Sequence, residues 1–82
     1  MIRVGKESRL NTAQVLDRAA KYFGPDGVGL ELVRRDATSV ELHGGGGYVT
    51  VSVRALQDSA KTDVEIVSRD WDQDATRFLE KV

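Results

Sequence analysis

His43 is the one histidine of the 82-residue chain, and so the one side chain whose unperturbed pKa lies near neutrality. It stands two residues after Glu41 and directly before Gly44-Gly45-Gly46-Gly47. Proton transfer or metal binding at such a ring needs partners: a second histidine at His-x-His or His-x-x-x-His spacing, or carboxylates converging on it. Neither spacing exists, and the carboxylates that can share its strand face are Glu31, Glu41 and Glu65. A glycosidase-like pair requires two carboxylates at a set separation, one of them buried so that its pKa rises. Glutamates that alternate with apolar residues are instead the solvated side of a half-buried sheet. With no cysteine there is also no thiol nucleophile, disulfide or cysteine-based metal site. No catalytic residue, metal site or cofactor is assigned, and the expectation is a protein that is not an enzyme.

The glycine run invites a second chemistry. Successive backbone N–H groups can cradle a phosphate. Phosphate loops, however, join a strand to a helix with defined spacing or end in Lys-Ser/Thr. Strand patterns flank this run on both sides, which predicts a hairpin turn using positive φ.

These residues must be positioned by elements that the hydrophobic pattern outlines. Ile2 and Val4 fall on one side of a short strand over Met1 to Val4, with Arg3 opposite. A helix is expected over Asn11 to Phe23. Asn11 and Gln14 have capping-box spacing, and Val15, Leu16, Ala19, Ala20 and Phe23 recur on one face. Gly24-Pro25 stops it, with Gly24 suited to a left-handed cap.

The period then changes to two. Val28, Leu30 and Leu32 alternate with Gly29, Glu31 and Val33, and Arg34-Arg35-Asp36 reads as a turn. Val40 and Leu42 form the next strand, Val49, Val51 and Val53 the one after the glycines. Val64 and Ile66 form the last, after a polar loop over Gln57 to Thr62. A closing helix is signalled by Asp70 and Gln73 as a capping pair, with Asp72 and Asp74 in its first turn. Trp71, Ala75, Phe78, Leu79 and Val82 share one of its faces.

One sheet face and two helix faces are apolar, so they close on one core. The expectation is a single α+β domain over residues 1–82, a two-layer β-α-β-β-β-β-α arrangement. A curved antiparallel sheet carries both helices on one face. Element order over almost the whole chain resembles the TATA-binding-protein-like and helix-grip architectures. The Trp71-started last helix, with its Phe78-Leu79 pair, is similar to the end of a reduced START or polyketide-cyclase-type domain. The chain lacks the extra strands and longer last helix with which full helix-grip folds enclose a cavity, and no family site residue is carried over.

Twelve Lys and Arg against 13 Asp and Glu give a net charge of −1, which argues against a general nucleic-acid coat. On the open face Glu31, Glu41, Asp63 and Glu65 would repel phosphates, so nucleic acid is not the expected partner. Hydrophobic residues at 40% and charged ones at 30% fit an ordinary globular chain without a membrane segment, and a cytoplasmic location is expected by default.

What remains is binding. The expected working surface is the open sheet face with its hairpin, carrying Glu31, Val33, Glu41, His43, Tyr48, Thr50, Ser52, Glu65 and Val67. It would serve a homodimer or a contact with another protein. The alternative is a small apolar ligand held between the sheet and the last helix, near Trp71 and Phe78.

Overall fold

In the computed structural model, which describes residues 1–82, the order is β-α-β-β-β-β-α. The elements are β1 (Ile2–Ser8), α1 (Thr12–Phe23), β2 (Glu31–Arg35), β3 (Ser39–Gly44), β4 (Gly47–Ala55), β5 (Thr62–Arg69) and α2 (Asp72–Lys81). The five strands form one antiparallel sheet in the order β1-β5-β4-β3-β2. Strands β2 to β5 are a meander, as expected, and β1 closes the far edge beside β5.

Helix α1 begins where the side-chain chemistry places it. Gln14 N donates to Asn11 Oδ1 at 2.8 Å and Asn11 N donates to Gln14 Oε1 at 3.0 Å, a complete capping box. Its end corrects one expectation. Gly24 has φ −75°, not a left-handed conformation. Glycine is needed there because a Cβ would collide with the carbonyl oxygen of Ala20. The left-handed residue of this corner is Gly29, with φ 102°.

That corner also explains why β2 starts later than the alternation of Val28 and Leu30 implies. The N–H groups of Val28, Gly29 and Leu30 donate to Tyr22, Gly24 and Phe23 carbonyls at 2.8 Å each. Donors spent on the helix end cannot join a ladder, although Leu30 still reaches the core. Arg34 and Arg35, read from sequence as a turn, instead continue β2 after a bulge between Leu32 and Arg34. The turn moves to residues 36–38, where Asp36 Oδ1 accepts from the N–H groups of Thr38 and Ser39, both at 2.9 Å.

At the start of α2, the Asp70–Gln73 capping pair does not form. Asp70 sits at φ 70°, and Trp71 occupies the cap position with no side-chain cap bond. The short connection from β5 reverses the chain at Asp70, one of the few non-glycine types that tolerate this region. The helix therefore starts at Asp72, still with Asp72 and Asp74 in its first turn.

Both helices cover one sheet face. Val15, Leu16, Ala19 and Phe23 from α1 and Ala75 and Phe78 from α2 meet Val40, Leu42, Val49, Val51, Val53, Val64 and Ile66. The Phe23 and Phe78 rings stand 5.3 Å apart between centroids, and Tyr22 lies 5.0 Å and 5.6 Å from them. No helix is long and apolar enough to cross a membrane.

Candidate functional site

Side chains that alternate with this core emerge on the sheet face that no helix covers. Strand pairing sets them in rows across the sheet. One row runs Arg69, Tyr48, His43, Glu31 from β5 to β2. The next runs Arg3, Val67, Thr50, Glu41, Arg34 across all five strands, and the third runs Gly5, Glu65, Ser52, Ser39. A fourth joins Glu7, Asp63 and Arg54.

The nine residues expected on this surface divide by depth. Glu41, Tyr48, Thr50, Ser52 and Val67 are half-buried, whereas Glu31, Val33, His43 and Glu65 are exposed. Val33 lies at the bulge and is 52% exposed, while its neighbour Leu32, 46% exposed, pairs with Leu42 and so belongs to the helix-bearing face.

The polar groups are tied into two clusters. His43 Nε2 lies 2.6 Å from Glu41 Oε2, and Arg34 reaches Glu41 at 3.7 Å and Asp36 at 2.7 Å. The His43 and Tyr48 rings stand 6.2 Å apart. On the opposite flank Arg3 lies 3.8 Å from Glu65 and Arg54 3.6 Å from Asp63. No three His, Asp or Glu side chains converge in the manner of a metal site. Donation from the Thr38 backbone and hydroxyl, and then from Ser39, holds the Asp36 carboxyl below the usual carboxylate range.

The glycine run is the expected hairpin turn, and the strand pairing closes it over two residues. Gly45 and Gly46 take φ 58° and 80°, while Gly44 and Gly47 pair at its base. The outer two glycines answer a different demand. A Cβ on Gly44 would strike the Leu30 side chain, and one on Gly47 the Arg69 carbonyl. Trp71 locks this end of the sheet by donating Nε1–H to the Gly44 carbonyl at 3.0 Å.

Trp71 and Phe78 are not brought to a common cavity. Phe78 is 1% exposed and packs on Tyr22 and Phe23, whereas Trp71 lines a separate shallow depression with Met1 and residues 72–74. Sequence reasoning left Arg3 and Arg34 out of the open face. Arg3 already had the right parity, but only the pairing of β1 with β5 puts it beside Val67. The bulge brings Arg34 there, and no signal in the sequence marks a bulge. Comparison with family models, with curated proteins and with solved structures gives no match to this chain.

Proposed function

We propose that this domain is a non-catalytic assembly module that pairs with a second copy of itself through the open sheet face. The observation that carries the reading is the charge and shape pattern of that face about a line between β4 and β5. A two-fold axis along that line, parallel to the strands, sets each β5 residue against a β4 residue of the other copy, and β1 against β3. Arg3 then faces Glu41, Asp63 faces Arg54, Val67 faces Thr50, and Arg69 faces the Tyr48 ring. Opposite charges meet at both ionic positions, a cation meets an aromatic ring, and no like charges oppose one another. A stacked pair of sheets also covers the half-buried centre formed by Tyr48, Thr50, Ser52 and Val67.

On this reading the chain is a reduced domain of the TATA-binding-protein-like or helix-grip type, used for assembly rather than turnover. The separate placement of Trp71 and Phe78 gives the internal-ligand alternative no support.

A charge-swap series read by sedimentation equilibrium over a concentration range tests the pairing. Arg3→Glu and Glu41→Arg each place like charges across the interface and are expected to weaken dimerisation about tenfold or more. The double variant is expected to restore it. A wild-type chain that stays monomeric at high micromolar concentration sinks the reading. So does a double variant as weak as the singles, which would leave a different protein as the partner for this face.

A further inference from the structure

The helix layer, on the far side of the sheet from the proposed interface, carries a second surface feature. Between the C-terminal ends of α1 and α2 lies a groove of about 330 Å³. Its floor is apolar: the half-buried Tyr22 ring and the half-buried Val82, with the buried Phe78 ring directly beneath. Three cations stand round it, Arg18, Lys21 and Lys81, against Asp26 on the rim. Lys81 Nζ already sits 5.5 Å from the Tyr22 ring centroid, so an ammonium is held over the aromatic floor. Arg18 is tethered by donating to the Lys81 carbonyl at 3.5 Å. The Val82 main-chain oxygen is turned towards Ser8, whose Oγ donates to it at 2.7 Å. Counting Asp26 and a Val82 carboxylate against the three cations still leaves one positive charge in excess.

The geometry points to a binding site for a small carboxylate with an aromatic body. The ring of such a ligand would rest on the exposed part of Tyr22 and on Val82 while its carboxylate meets Lys21, Lys81 and Arg18. The groove lies at the small end of the range for ligand pockets, which fits a one- or two-ring compound rather than a long acyl chain. Two features set this site apart from the sheet interior that Phe78 also touches. It needs no opening of the core, and its selectivity comes from charge.

The test is an amide chemical-shift titration of the whole chain with 1-naphthoate, 1-naphthylmethanol and inorganic phosphate. Naphthoate is expected to shift the amides of Tyr22, Gly27 and Lys81 saturably, with a Kd on the order of 1 mM, and to leave the open sheet face unchanged. The neutral alcohol and phosphate alone are each expected to bind at least about fivefold more weakly, since each supplies only half of the recognition. Lys81→Gln and Lys21→Gln together are expected to weaken naphthoate binding about tenfold. Retained amide dispersion shows that the fold persists in that variant, and Asp26→Asn, which removes the opposing charge, should strengthen binding. Equal binding of naphthoate and the alcohol would overturn the proposal. So would equal shifts with phosphate alone, or no saturable shift in these three amides. None of these outcomes depends on the oligomeric state, so this site and the proposed dimer stand or fall separately.

Discussion

The two faces of the sheet are built from the same strands yet obey different rules. On the inner face Val40, Leu42, Val49, Val51, Val64 and Ile66 are fully buried, because two amphipathic helices remove them from water. On the outer face the alternating positions carry Glu41, Tyr48, Thr50, Ser52 and Val67, half-covered by their neighbours on the sheet and by no helix. Volume and shape decide the first set, since a close-packed interior responds to a single methylene. Charge order decides the second. Damage to the inner face should therefore appear as lost stability, and damage to the outer face as lost association.

The largest effect expected from this contrast lies at the aromatic centre. Phe78→Ala should destabilise the fold by about 3–5 kcal/mol, through a cavity beside Phe23 and Tyr22. Tyr48→Ala, an aromatic truncation on the other face, should cost no more than about 1 kcal/mol while weakening self-association. Urea unfolding at matched protein concentration, alongside sedimentation, separates the two. Equal losses of stability would erase the distinction between the faces.

A smaller effect sharpens the rule for the inner face. Ser68 points inward, is fully buried, and its Oγ has no hydrogen-bond partner. Ser68→Ala should raise stability by about 1 kcal/mol, because it removes an unpaired hydroxyl from an apolar layer. A loss instead of a gain in urea midpoint would mean that this hydroxyl is satisfied in solution.

The smallest effect concerns the turn that carries β2. Asp36 is held below the usual carboxylate range by donors from Thr38 and Ser39. A carboxyl with a folded pKa depressed in this way stabilises the fold above its unfolded pKa, and that contribution fades as pH falls through the lower folded value. Asp36→Asn should therefore lower stability modestly near neutrality and converge on the wild type as pH falls below about 4, which flattens the acid limb of the profile. A variant whose profile stays parallel to wild type down to pH 2 would show that the turn does not depend on this charge.

Local pattern was a good guide wherever a single element could satisfy its own groups. The Asn11–Gln14 capping box, the period-two valines of β4 and the glycine hairpin all depend on neighbours within a few residues. It failed at corners. Residues 28–30 alternate like a strand, but their N–H groups are claimed by the end of α1. Arg34 and Arg35 look like turn residues, yet an Asp17–Arg35 contact at 2.5 Å and the Asp36 turn let the strand run on. The Asp70 cap was lost because the connection from β5 needed a positive φ there. For the open face, parity placed most members correctly, while Arg3 and Arg34 required knowledge of which strands are neighbours and where the ladder slips.

The sequence by itself determined the α+β composition, the element order and the two-sided character of each strand. These follow from hydrophobic period and capping, which act over a few residues along the chain. Only the tertiary structure decided that β1 lies beside β5, and so that Arg3 joins Val67 and Thr50 in one row. It alone placed Lys81 over Tyr22, and set Phe78 and Trp71 at separate sites. Contacts of that kind join residues distant in sequence, and their energy comes from burial and pairing that no local window contains.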